Sequence, residues 1–164
     1  MESTLQPFLD ILREVYVGAG AQHTFVIDNA PDTGILSTIK NISAKEASTP
    51  SHDGGSTIAA HTGHLKWSLD YAMEFFNGNQ PHWDWNDSWK RIAVTETEWA
   101  ALQEELTEAY NRIAAATKNV KDWSHPAFVK GVLALLPHAA YHLGAIRQLM
   151  LIVKQHKKST TGLQ

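Results

Sequence analysis

Apolar residues recur every three or four positions in four stretches of the chain, a pattern typical of amphipathic helices. A shorter helix is expected in the segment ILSTIKNIS, which follows a loop. Pro137 lies inside the last long stretch and predicts a break or kink there, because proline lacks a backbone donor and clashes with the preceding turn. The pattern predicts four long helices, at about residues 4–18, 57–77, 95–118 and 126–156.

The connection between the second and third long helices, NQPHWDWNDSWKRI, is rich in tryptophan and has no usable periodicity. It is longer than a tight helical hairpin needs, so it could cross the end of a bundle and leave those two helices parallel. Only HTFVI (23–27) alternates in the manner of a strand. The fold predicted from these features is all-α, a four-helix bundle with short additional helices, forming one domain over residues 1–164.

Composition narrows the classes of function. A chain of 164 residues is long enough to bury a core, and a net charge of −3 without a basic cluster argues against a nucleic-acid partner. Cysteine is absent, so any metal must be held by nitrogen and oxygen. The first residues carry acids where a signal peptide carries bases, and no apolar run reaches the ~18 residues of a membrane span. We expect a cytoplasmic protein that acts on a small molecule, with no membrane partner and with a homodimer left open.

Histidines at helical spacing carry the most specific chemical information in the chain. His138 and His142 stand four apart in LLPHAAYHLGAIRQLMLIV, so their imidazoles share one helix face and can bind one metal ion. The second long helix offers a third nitrogen in AAHTGHLKWSL, from His61 or His64. On a helical wheel His61 lies at the edge of the apolar stripe and His64 lies roughly 60° further round, so periodicity favours His61. The residues alone leave this choice open.

A simpler interpretation applies to each histidine taken singly. One histidine on an apolar helix face is more often a hydrogen-bonded core residue than a metal ligand, and an HxxxH spacing arises by chance in many helices. Burying several imidazoles without partners would cost a few kcal/mol, however, and shared coordination removes that cost. Two helices that both carry inward histidines therefore indicate a metal site more strongly than either helix does alone.

The two histidine segments together resemble the DinB/YfiT-like superfamily, the DinB family of four-helix bundles with a three-histidine metal site. The resemblance rests on SxIxxxxxHL in the second long helix and HxxYHLGAIRQ in the fourth. It implies that His64, His138 and His142 are the metal ligands, with His61 as a neighbouring hydrogen-bond donor or as the alternative ligand. Ala145 stands where the family often has glutamine, which removes one polar group from the pattern.

The resemblance also implies a class of chemistry. Three neutral imidazoles leave coordination positions open, as in a reactive metal site. Relatives include thiol-dependent S-transferases and isomerases that use a low-molecular-weight thiol such as bacillithiol or mycothiol. Zinc or nickel are the leading divalent metals, with iron, manganese and copper as alternatives. The other functions considered are a hydrolase that uses metal-bound hydroxide and a non-catalytic metal-binding bundle. The sequence assigns no catalytic residue and no substrate.

Two further groups of residues have open roles at this point. Trp83, Trp85 and Trp89 are interpreted as a cover for the end of the bundle, although they could instead form the wall of a pocket above the metal. Arg147 stands five residues after His142 and therefore off its helix face. We expect it to pair with an acidic residue rather than with substrate.

Overall fold

The computed structural model describes residues 2–20 and 23–161, and every regular element in this part of the chain is helical. This confirms the all-α prediction, and four of the helices are long. None of the described helices combines the length and the apolar character needed to cross a membrane. The elements are α1 (Glu2–Val17), α2 (Ile35–Lys40), α3 (Ala44–Ala47), α4 (Ile58–Phe76), α5 (Glu96–Asn119) and α6 (Pro126–Thr161), with a 3₁₀ helix at Trp85–Trp89 between α4 and α5.

Two of the long helices, α4 and α5, begin at residues that cap their free backbone donors. The Thr57 hydroxyl accepts a hydrogen bond from the backbone N–H of Ala60 at the start of α4. At the start of α5, Thr95 and Glu98 form a capping box, in which each side chain accepts a hydrogen bond from the other residue's backbone. These caps fix the register in which the α4 and α5 side chains face their neighbours.

The core lies where α4 packs against both α5 and α6, and where α1 packs against α6. α6 runs without interruption through Pro137, so the helix does not break there, and a kink at this residue stays a prediction. Leu135 and Ala139 are buried on either side of the proline, and their packing outweighs the loss of one backbone donor. The largest fully buried apolar side chains of the long helices are Leu12, Tyr16, Ile58, Leu65, Leu69, Leu102, Leu106, Ile113 and Ile146.

The segment HTFVI does not form a strand in the structure, and residues 25–27 are bends instead. The buried Glu14 carboxylate accepts hydrogen bonds from the backbone N–H groups of Phe25, Val26 and Ile27, at 2.5–3.0 Å. Burial alone would raise the pKa of Glu14, but these three backbone bonds lower it below its usual value. The backbone N–H groups of residues 25–27, which in a strand would donate to a neighbouring strand, therefore donate to a side chain of α1.

Arg147 of α6 holds the loop at residues 28–34, which follows the HTFVI segment. Its guanidinium donates to the backbone carbonyl of Thr33 at 2.5 Å and lies 3.7 Å from the Asp28 carboxylate, as the predicted acidic pairing requires. The same loop ends at Gly34, which passes so close to the end of α1 that an added Cβ would lie 2.4 Å from the backbone nitrogen of Gly18. Only glycine fits at position 34.

Hydrogen bonds hold the tryptophan-rich connection across the first turns of α4. The Thr57 hydroxyl donates to the carbonyl of Ile92 at 2.6 Å, and Ser48 accepts from the backbone N–H of Val94 at 2.9 Å. A Cβ at Gly63 would lie 3.3 Å from the Cβ of Arg91, so the connection crosses α4 in close contact. The 3₁₀ helix is thereby held against the face of α4 that carries two histidines.

Candidate metal centre

Histidines from α4 and α6 meet beneath the 3₁₀ helix. His138 Nε2 lies 3.0 Å from His64 Nε2 and 3.1 Å from His142 Nε2, and the candidate ligand atoms of the three residues all lie within 4.8 Å of one another. His64 and His142 are buried, at 1% and 2% exposure, whereas His138 is partly exposed. The structure thus brings together the three histidines that the sequence analysis selected.

The two nitrogen–nitrogen separations that involve His138 fit a shared metal ion, and the third pair, His64 and His142, lies within 4.8 Å. Two nitrogens bound to one metal at Zn–N distances of ~2.0–2.1 Å lie roughly 2.9–3.4 Å apart for angles between octahedral and tetrahedral. The observed 3.0 and 3.1 Å fall inside this range. In the described part of the chain the cluster consists of histidine alone, and Asp70 of α4 is engaged with Lys66 and Arg112 at 2.8 Å each. The cluster could hold a divalent cation through nitrogen only.

His61, the alternative ligand, lies on the far side of His142. Its Nδ1 is 2.8 Å from His142 Nδ1, and its Nε2 is 2.9 Å from the Ser56 hydroxyl. His142 turns its Nε2 toward His138, so one ring separates His61 from the cluster. His64, which the family spacing selects, is therefore the α4 residue that joins the pair on α6. That these three residues bind a metal remains a prediction.

Ser88, which the sequence analysis missed, determines where His64 carries its proton. The Ser88 hydroxyl lies 2.6 Å from the carbonyl of Trp85, which can only accept, so the single hydroxyl proton is used there. Ser88 Oγ, 2.8 Å from His64 Nδ1, must then accept the N–H of that ring. A neutral His64 has its proton on Nδ1 and a bare Nε2 that faces His138, the form that a metal binds.

The cluster disfavours positive charge on its own rings. Burial, followed by repulsion from His138 and His61, lowers the pKa of His64 to about 4. The same causes, with His64 as a further neighbour, lower the pKa of His142 to about 3. Burial also lowers the pKa of His61 and of His138. All four rings are therefore neutral near pH 7, and neutral imidazole is the state in which histidine binds a metal.

A family model for the DinB superfamily matches residues 33–146, which include His61 and His64 of α4 and His138 and His142 of α6. The chain belongs to the DinB superfamily. No curated protein and no solved structure matches this DinB chain. Family membership and the three-histidine cluster together are compatible with metal binding, and they leave the metal and the reaction undetermined.

Two of the three tryptophans in the connection of this DinB protein lie against the histidine rings. Trp89 stacks on His64 with ring centroids 4.2 Å apart and planes at 16°, and Trp85 meets His64 edge-on at 4.9 Å. Trp83 instead contacts Trp67, at 5.5 Å. The interpretation as a wall of the site therefore fits Trp85 and Trp89, whereas Trp83 belongs to an aromatic cluster on α4. The concentration of tryptophan in WDWNDSW was the only indication in the sequence.

Solvent reaches the cluster from the side of His138. The other rings of the DinB centre are at most 6% exposed, and Trp89 covers one face of His64. Tyr141, one turn along α6 from His138, is 69% exposed and stands edge-on to His142 with centroids 5.0 Å apart. A molecule that approaches the centre would therefore pass His138 and Tyr141.

Proposed function

We propose that this DinB protein is a metal-dependent enzyme that binds one divalent metal per chain through His64, His138 and His142. In this proposal it uses a low-molecular-weight thiol to act on a small molecule, as an S-transferase or isomerase. The observation that carries the proposal is the convergence of three imidazole Nε2 atoms with separations of 3.0 and 3.1 Å. A structural site normally has four protein ligands, whereas this cluster offers three and is accessible at His138.

A divalent metal bound here supplies Lewis acidity that lowers the pKa of a thiol or a water molecule beside it. The residues of the chain provide the setting. Ser88 orients His64 through its Nδ1, and Trp89 packs on the face of the same ring. Because the three rings are neutral, the positive charge of the metal is not cancelled by the protein, which favours an anionic partner such as a thiolate.

A thiol is favoured over water as the reacting partner because, among the described residues, no carboxylate belongs to the cluster to act as a general base. In the described part of the chain the cluster contains only histidine, and Asp70 is held in ion pairs with Lys66 and Arg112. A thiol with an ordinary pKa of about 8.5 needs far less help to lose its proton than water does. Thiol dependence among relatives in the family points in the same direction.

The first experiment measures metal by plasma emission after dialysis of the purified protein, with His142→Ala as the test variant. We expect about one metal per wild-type chain and its loss in the variant, because Nε2 of His142 is one of the three converging nitrogens. His52→Ala is the matched control, since His52 is exposed and pairs only with Ser51 among the contacts described. Full retention of metal in His142→Ala would overturn the proposed ligand set.

The second experiment tests the reaction. The metal-loaded protein is screened for conjugation of bacillithiol, mycothiol and simpler thiols to electrophiles, and in parallel for hydrolysis of esters and amides. Metal-dependent loss of free thiol supports the proposal, and hydrolysis without any thiol dependence supports the hydrolase instead. Cobalt-substituted protein should also change its visible spectrum when a small thiol or azide is added, because a coordination position is open. If the visible spectrum does not change with any added ligand, and the chain unfolds when a chelator removes the metal, the metal is structural.

A further inference from the structure

A chain of polar contacts leads from the metal cluster to the surface. His142 Nδ1 lies 2.8 Å from His61 Nδ1, and His61 Nε2 lies 2.9 Å from the hydroxyl of Ser56. His142 and His61 are buried, whereas Ser56 is exposed at the start of α4. Neither His61 nor Ser56 faces the three converging nitrogens. The family resemblance implies His61 only as a neighbouring donor or alternative ligand, and it gives Ser56 no role.

The positions of the protons along this chain follow from the contacts. Each close nitrogen–nitrogen contact needs one proton, because two bare lone pairs at about 3 Å repel each other. The proton of His64 is on Nδ1, where Ser88 accepts it, so the contact between His64 and His138 must use a proton on His138 Nε2. The same proton serves the 3.1 Å contact with His142, whose Nε2 is therefore bare.

With Nε2 bare, a neutral His142 carries its proton on Nδ1 and donates it to Nδ1 of His61. His61 must then carry its own proton on Nε2 and donate it to the Ser56 hydroxyl. The reverse arrangement fails, because a proton on His142 Nε2 requires a bare His138 Nε2. Two lone pairs would then face each other across the 3.0 Å between His138 and His64. Only one arrangement of protons satisfies every contact.

We propose that His61 and Ser56 are positioning residues that hold the proton of His142 on Nδ1, so that its Nε2 is free to bind a metal. Outer hydrogen-bond partners of this kind fix the ring orientation and tautomer of metal-binding histidines. The role of His61 and Ser56 rests on the proposed metal site, but in this proposal His142 carries its proton on Nδ1 in the metal-free protein as well. His138, the most accessible of the four rings, is the one histidine whose proton must move from Nε2 to Nδ1 when a metal binds.

The tautomers are measured by long-range ¹⁵N–¹H correlation spectra of the metal-free protein at about pH 8, above the ordinary histidine pKa. Single histidine variants assign the rings. We expect His142 to carry its proton on Nδ1 and His61 to carry its proton on Nε2. In His61→Leu the Nδ1–H of His142 loses its acceptor. The cost of leaving this buried donor unsatisfied then competes with the lone-pair repulsion at His138, so His142 should become a mixture of both tautomers. A wild-type His142 protonated on Nε2, or a His142 signal unchanged in His61→Leu, overturns the proposal.

A series of variants measures the consequence for metal binding, by competition with a zinc chelator. His61→Leu should weaken zinc binding about 10–100-fold. His61→Asn should recover most of the loss, because its side-chain oxygen can take the place of Nδ1 and accept from His142. A residue that only fills space predicts the opposite order, with leucine at least as good as asparagine, and that order overturns the proposal. Ser56→Ala should weaken binding less than His61→Leu and still leave a folded protein if the leucine variant does not fold.

The matched control is a second serine–histidine pair in the same region of the chain. Ser51 and His52 make a hydroxyl–imidazole contact of the same length, 2.9 Å, at the surface. Ser51→Ala and His52→Asn should leave zinc affinity and the His142 spectrum unchanged. The experiments distinguish failure of the proposed function from failure of the proposed tautomer. If the wild-type protein binds no metal but its His142 carries the proton on Nδ1, the metal-dependent function is refuted and the tautomer is supported. If the protein binds metal but His142 of the metal-free form carries its proton on Nε2, the tautomer is refuted and the metal site is supported.

Discussion

Acidification should destabilise the metal-free protein well above the pH at which carboxylates are protonated. The folded-state pKa values of His64 and His142, about 4 and about 3, lie below the ordinary value of 6.5. As the pH falls, the unfolded chain therefore takes up protons before the folded chain does. The stability that the neutral rings contribute is complete above about pH 6.5 and is lost as the pH falls toward the folded-state values.

The size of the effect follows from the difference in bound protons. At about pH 5 an unfolded histidine is almost fully protonated, whereas buried His64 is almost entirely neutral. Linkage converts this difference into roughly 2 kcal/mol for His64, and a similar amount applies to His142. The two rings are neighbours and titrate as a group, so we expect a total loss of about 2–4 kcal/mol. That is a large part of the 5–15 kcal/mol that typically stabilises a domain.

The assay is urea unfolding followed by far-ultraviolet circular dichroism, with a chelator present, at several pH values between about 8 and 5. The carboxyl of Glu14 interferes little in this window, because its pKa is lowered and its contribution is lost only at lower pH. His64→Gln should lose about 2 kcal/mol less than the wild type over the same range. His52→Gln, at an exposed position, should match the wild type. A wild-type free energy of unfolding that is flat from pH 7 to 5, or an equal slope in His64→Gln, would refute the reasoning.

Three further predictions concern single side chains. His64→Ala should lose stoichiometric metal in plasma emission, whereas His61→Ala should keep most of it with about 10–100-fold weaker binding; the reverse order would make His61 the ligand. Glu14→Ala leaves three backbone N–H groups without their acceptor and should lower the free energy of urea unfolding by about 3 kcal/mol, and wild-type stability would contradict the anchoring role. Trp99→Phe removes the indole donor to the carbonyl of Ile42, at 2.7 Å, and should cost about 1–3 kcal/mol in the same assay, and wild-type stability would contradict a stabilising role for this hydrogen bond.

The helices could be predicted from the sequence because their signals are local. The Thr95–Glu98 capping box marks the start of α5, and Gly78, with φ of 82°, follows the end of α4 where the sequence predicts a stop. Pro137 shows the limit of the same reasoning. A local rule predicted a break, but burial of Leu135 and Ala139 depends on helices distant in the sequence and outweighs it.

The connection over the site could not be predicted, because nothing in its own sequence fixes its path. Its position depends on Thr57 and Ser48, which bond to Ile92 and Val94 across 35 and 46 residues of chain. The hydroxyl of Ser88 reaches His64 only after these contacts have formed. A serine between two tryptophans has no spacing that would relate it to a histidine 24 residues earlier. Family spacing identified the three converging histidines, but not the residue that sets the tautomer of one of them.

The choice between His61 and His64 shows the limit of periodicity at this site. A helical wheel assumes one buried face, and on that assumption His61 is the more inward residue. The first turns of α4 are instead buried on nearly every side, because α5, α6 and the 3₁₀ helix all contact this helix. Both histidines are therefore inside, at 6% and 1% exposure, and burial cannot separate them. His61 and His64 differ in the α6 nitrogen that each contacts. His64 contacts Nε2 of His138, and His61 contacts Nδ1 of His142. Where a helix is covered all round, the contacts of its polar atoms decide the role of each residue.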